Sequence, residues 1–116
     1  MPLEKPDIFN ALSVYREIGI KLGGLEKFEK SLDYFDSALR RNPKDSRSLR
    51  GRAEYSAKAN KYDDALEDIE TLKQIDPDNI YVSAYESLVK YLCSEYEQAM
   101  VLNLRKQILR KNPIIS

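Results

Sequence analysis

Asp63 and Glu67, and Asp64 and Asp68, form two carboxylate pairs four residues apart. On a helix that spacing puts both members of a pair on one face. Paired carboxyls can divide the work of acid and base, but only where burial or a neighbouring charge separates their proton affinities. Along this polar face they read as a solvated acidic surface. The chain has no histidine, so the commonest general base and metal ligand is missing. Its single cysteine, Cys93, has no histidine to activate it and sits in an apolar stretch. It is expected to be a buried, inert thiol that packs as a small hydrophobe. Asp76-Pro77-Asp78-Asn79 is rich in oxygen but lacks the ligand count and central glycine of a calcium loop. Gly23-Gly24 is not directly followed by a Lys-Ser/Thr pair, and no strand is expected before it, so it is not a phosphate cradle. The 8 tyrosines fall at helical spacing and are expected to pack in a core or groove. A base-stacking platform would need strands or a basic groove. No catalytic residue, metal site or cofactor is therefore assigned, and no enzymatic activity is expected.

Charge is the chemistry that remains. Lys plus Arg and Asp plus Glu are both 19, so the overall positive field that drives binding to phosphate backbones is absent. Nucleic acid is not expected as a partner. The charges are segregated, however. Residues 40–61 carry eight cations against Asp45 and Glu54, a net of +6. Residues 62–86 carry eight carboxylates against Lys73, a net of −7. A lone cysteine suggests a reducing compartment, and the sequence shows neither an apolar stretch of signal-peptide length at its start nor a run of ~18 apolar residues. A cytoplasmic chain without a membrane partner is expected.

These charges are positioned by a repeat. Phe28-Glu29-Lys30-Ser31-Leu32, Tyr62-Asp63-Asp64-Ala65-Leu66 and Tyr96-Glu97-Gln98-Ala99-Met100 each read aromatic, two polar, small, apolar, at a step of 34 residues. Gly19, Ala53 and Ser87 keep the same step, as do Pro43 and Pro77. Small residues let two helices approach closely, the aromatic fills the space beside them, and proline stops one pair before the next. The reading is all-α, with helices at about 7–22 (Asp7 as N-cap, Ile8, Leu12, Tyr15, Ile18 and Leu22 as its apolar stripe), 26–41, 46–59, 62–74, 79–93 and 96–110. The expected core is Leu12, Tyr15, Ile18, Leu22, Phe28, Leu32, Phe35, Leu39, Leu49, Ala53, Tyr62, Leu66 and Ile69, with Gly19, Ser31, Ala65 and Ala99 at helix contacts.

The step of 34 with Tyr15, Ile18, Gly19, Leu22, Phe28, Phe35, Ala38 and Pro43 resembles the tetratricopeptide repeat family. The second repeat keeps Leu49, Ala53, Tyr62, Ala65, Ile69 and Pro77 but has Arg52 where the family is usually apolar. The third keeps Ser87, Tyr96 and Ala99 but has Ser83, Glu86, Lys90 and Asn103 at usually apolar positions, and Pro113 closes it two residues late. The resemblance implies one domain over 1–116, a helix-hairpin solenoid with right-handed superhelix, with repeats at about 10–43, 44–77 and 78–113. It also implies protein binding as a scaffold or adaptor, with the first helix of each pair lining a concave groove. The family's best-known peptide-binding subclass grips a C-terminal carboxylate through Lys, Asn and Arg. The matching positions here are Arg16, Ile20, Gly51, Tyr81 and Tyr85, of which only Arg16 could serve. A chaperone-tail role is not assigned.

Read at the step of 34, the groove columns are Ser13, Arg47 and Tyr81; Arg16, Arg50 and Ala84; and Ile20, Glu54 and Leu88. The groove is expected to take a protein or peptide segment that is acidic or mixed acidic–apolar. Arg47 and Arg50 can be read equally as solvated, and Arg40 and Arg41 as compensating a helix dipole. The alternative function is structural: an assembly or oligomerisation subunit of a larger complex, such as a ciliary or cytoskeletal docking complex. The last helices also carry more apolar residues than one neighbouring pair should consume, Leu104 and Ile108 among them. Either the chain is a piece of a longer protein or this end is a contact surface; in both cases the last helix, with Leu104 and Ile108, is expected to be a site of self-association or of a partner contact.

Overall fold

The computed structural model describes residues 4–111, with side chains from residue 11 onward. Five helices follow one another: α1 (Glu4–Gly24), α2 (Phe28–Arg41), α3 (Ser46–Lys58), α4 (Tyr62–Ile75) and α5 (Ile80–Lys111). No strand occurs among the described residues. α1 begins at Glu4, so Asp7 lies inside the helix and is not its N-cap. The side chains of Asp7 and Ile8, and Pro113, fall outside the described residues.

The hairpin turns explain why α1 and α3 stop where they do. Glu26 and Asn60, 34 residues apart, both adopt the left-handed backbone, with φ of 64° and 63°. That conformation costs most residues about 1–2 kcal/mol, and among residues with a side chain asparagine is one of the few that tolerate it. It lets the chain fold back while Lys27 N–H donates to the Leu22 carbonyl (2.9 Å) and Lys61 N–H to the Ser56 carbonyl (2.7 Å). These bonds satisfy carbonyls that a helix end would otherwise leave unpaired. Between hairpins, Asp45 starts α3 by accepting from the Ser48 N–H at 3.2 Å.

Packing follows the repeat. α1 packs on α2, α3 on α4, and α2 and α4 join each pair to the next helix. In the first hairpin, Ser31 Oγ donates to the Gly19 carbonyl at 2.7 Å. In the second, Ala53 and Ala65 occupy the equivalent places, both fully buried. Phe35, also fully buried, lies between α1 and α3. Leu39, Leu49, Ile69, Leu72, Val82 and Val89 continue the core through the second pair to α5. Leu32, Phe35, Leu39, Leu49, Ala53 and Ile69 are buried as expected. Leu12, Tyr15, Ile18 and Leu22 are only half-buried, because among the described residues α1 packs on α2 and only lightly on α3, with no helix on its other side.

The third hairpin does not form. In place of helices at 79–93 and 96–110, α5 runs unbroken for 32 residues, giving five helices where six were expected. The residue 34 beyond Asn60 is Ser94, and it stays helical. Folding back there would press Ser83, Glu86, Lys90 and Asn103 into a hairpin interior, and burying unpaired charge is costly. On the single helix Ser83, Lys90 and Asn103 stay exposed, and Glu86, 20% exposed, pairs with Lys73 of α4 at 3.1 Å. Ala99, expected at a helix contact, is exposed, as is every residue from 94 to 111. Cys93 is half-exposed rather than buried. Its Sγ lies 3.6 Å from Glu97 Oε1. Partial desolvation and the Glu97 carboxylate push the thiol above its ordinary pKa.

Candidate binding groove

α1, α3 and the first half of α5 stand side by side on one face and enclose an open groove of about 550 Å³. Its floor is apolar: Ile20 from α1, Tyr55 from α3, Ile69 and Leu72 from α4 beneath, and Val82 and Tyr85 from α5. Its rim carries Arg47, Arg50 and Glu54 on α3, with Tyr81, Ala84 and Leu88 opposite on α5. The helical period produces this arrangement, since Arg47, Arg50 and Glu54 are spaced three and four apart and so share one face. Arg47 and Arg50 are exposed. Arg47 approaches Glu17 at only 3.9 Å, both half-exposed, a pairing that holds it weakly. Arg50 makes no ion pair or hydrogen bond among the described residues beyond its own helix. Glu54 is shared with Lys58 at 3.1 Å. Burial, and then the Glu54 carboxylate, raise the pKa of Tyr85, which lines the groove, above its ordinary value.

Six of the seven groove residues read from the sequence thus line one cavity: Ile20, Arg47, Arg50, Glu54, Tyr81 and Leu88. Arg16 does not. Its Nη1 lies 3.0 Å from Asp45 Oδ2, with only 11% of its side chain exposed. Burial works to raise the Asp45 carboxyl, but hydrogen bonds from Ser48 and Arg16 outweigh it and hold the group below its ordinary pKa. Arg16 ties α1 to the start of α3 and is not free to meet a ligand. The two end residues lie far from this groove on α5, Leu104 58% and Ile108 49% exposed.

Two features escaped the sequence reading. Arg52, at a position usually apolar in the family, donates from Nε and Nη2 to both Asp68 oxygens at 2.8 Å and from Nη1 to Asp36 at 2.8 Å. The Asp68 hydrogen bond is the first cause of the raised Arg52 pKa. This network lies on the side of α3 that faces α2 and α4, not in the groove. The second is Gly51, which looked like a vacant binding position. A Cβ there would stand 2.5 Å from the Phe35 ring, so the glycine permits α3 to sit on Phe35. Neither was legible, because each depends on a neighbour from another helix.

No family model matches the chain. Among known proteins it is similar to the Hsp70-Hsp90 organizing protein of Triticum aestivum, 31% identical over 85 residues, which are 73% of this chain and 15% of that protein. It is also similar to Superkiller protein 3 of Schizosaccharomyces pombe, 30% identical over 86 residues, 74% of this chain and 6% of that protein. The chain therefore spans only a small part of the length of either relative. Both relatives are tetratricopeptide repeat proteins, and with its own step of 34 the chain belongs to the same family.

Proposed function

We propose that the chain is a protein–protein interaction module whose groove receives an extended segment of a partner, with acidic side chains set beside apolar ones. The observation that carries this reading is Arg50, exposed and without an ion pair or side-chain hydrogen bond among the described residues, on the rim of the same groove whose floor is Ile20, Tyr55, Val82 and Tyr85. A carboxylate reaching the rim would find a guanidinium, which accepts it in two-point geometry. The neighbouring apolar side chain would leave water for the floor, at roughly 25 cal/mol per Å² removed. Arg47, loosely held, adds a second cation one turn away. The positions that read a C-terminal carboxylate elsewhere in the family carry Ile20, Gly51, Tyr81 and Tyr85 here, with Arg16 engaged by Asp45. The acidic determinant is therefore an internal side chain rather than a chain terminus. A second reading, an assembly piece of a larger complex, draws on the exposed second half of α5. A titration of the chain with a fluorescent peptide alternating glutamate and leucine tests the groove reading. Binding that weakens as salt rises supports it, since exposed charges are screened over ~10 Å at ordinary ionic strength. No binding, or equal binding of a lysine–leucine peptide, refutes it.

A further inference from the structure

α5 has one continuous apolar edge that changes surroundings halfway along. Val82 and Val89 are buried against α4, and Tyr96 meets the Tyr62 ring at 5.6 Å between centroids. Tyr62 is the first residue of α4. Beyond Tyr96 the supporting helix has ended, yet the edge goes on through Met100 and Leu104, flanked by Val101. These three are 56%, 58% and 64% exposed. The last 15 residues of the helix project roughly 22 Å at 1.5 Å each, with no element over them among the described residues.

The charges at the two ends of this projecting edge indicate what covers it. Glu97, Met100, Leu104 and Lys111 follow at helical spacings that keep them on one side. Leu104 lies midway between Glu97 and Lys111, seven residues from each. An edge that is acidic at one end, basic at the other and apolar between is complementary to itself when turned end for end. A two-fold axis at Leu104 sets Leu104 against Leu104 of a second copy and each Glu97 against the other copy's Lys111. Closed two-fold contacts have this self-complementary form, and spacings of three and four are those of paired helices.

We infer that the projecting half of α5 pairs antiparallel with the same segment of a second copy, in register about Leu104. The contact is small and belongs with weak interfaces under about 1,200 Å², so the dimer forms at high micromolar concentration. It lies outside the groove and holds whether or not the groove binds peptide.

Sedimentation of the full chain over a concentration series, with helicity followed by circular dichroism, tests this. The wild type shifts from monomer to dimer, and Leu104→Glu stays monomeric at every concentration with helicity unchanged. Glu97→Lys and Lys111→Glu each set like charges opposite one another twice and weaken the dimer, roughly tenfold. A mixture of those two variants forms a heterodimer of wild-type strength, because each lysine then faces a glutamate. A wild type that remains monomeric at millimolar concentration overturns the inference. So does a dimer indifferent to Leu104→Glu or a mixture no stronger than its parts, which would mean another surface, and so do single reversals that leave the dimer no weaker, which would mean a parallel register.

Discussion

Arg52 holds Asp68 by two hydrogen bonds of 2.8 Å, across the α3–α4 contact where the family usually packs apolar side chains. Asp68 is almost wholly buried, while Arg52 keeps 30% of its side chain exposed. Removing one member of such a pair leaves the other charged and without its partner. Asp68→Ala should therefore destabilise the fold by about 1–3 kcal/mol, less than for a fully buried pair because Arg52 retains Asp36 and some water. Replacing both at once, Arg52→Leu with Asp68→Leu, should cost less than Asp68→Ala alone. Urea denaturation of the three proteins checks the order, and a double variant weaker than the single one would contradict it.

The Arg16–Asp45 pair gives the chain an acid sensitivity with a definite sign. The Asp45 carboxyl has a lowered pKa in the fold against an ordinary value of 3.8. Its contribution is fully present above pH 3.8 and is lost as pH falls below that value through the folded pKa. Arg16→Ala should cost about 1–2 kcal/mol at neutral pH, the range for a hydrogen bond to a charged group. It should also flatten the fall in stability on acidification. Thermal melts between pH 7 and pH 3 measure both, and equal acid slopes in variant and wild type would remove Asp45 from the account.

Gly51→Ala should destabilise by about 1–3 kcal/mol, since the fully buried Phe35 ring has no room to retreat from a Cβ. Gly24→Ala, where a Cβ meets nothing within 4 Å, is the matched control and should be neutral or slightly stabilising. Equal effects of the two substitutions in a denaturant series would mean that α3 does not rest on Phe35.

The continuity of α5 can be measured directly. Spin labels at residues 84 and 107, in a Cys93→Ser background, should lie about 35 Å apart along a helix rising 1.5 Å per residue. A folded-back third hairpin would bring them within roughly 15 Å, and that distance would contradict an unbroken α5. The measurement is made at concentrations low enough to keep the chain monomeric.

The sequence and the fold agree where one residue type decides the matter locally. The step of 34 placed α2, α3 and α4 close to their observed bounds, because Pro43, Pro77 and the small–aromatic sets act through neighbours within one hairpin. The third repeat shows where this stops. Tyr96 and Ala99 keep the signature, but the signature is only half of a contact, and Ser83, Glu86, Lys90 and Asn103 remove the other half. Arg16 shows the same limit in the groove. Its period aligns it with Arg50 and Ala84, yet Asp45, 29 residues away, claims it, and no spacing rule reveals a partner at that distance.

In the proposed function, Arg47 and Arg50 are the cations that read a partner's acidic side chains. Its most direct test is the affinity of the glutamate–leucine peptide for the wild type and for the Arg47→Glu, Arg50→Glu double variant, beside the matching lysine–leucine peptide. The double variant should keep its helicity, lose the acidic peptide by at least about tenfold, and gain the basic one, since each reversal turns an attraction into a repulsion. Undiminished binding of the acidic peptide by the double variant would show that the groove between α1, α3 and α5 is not the site.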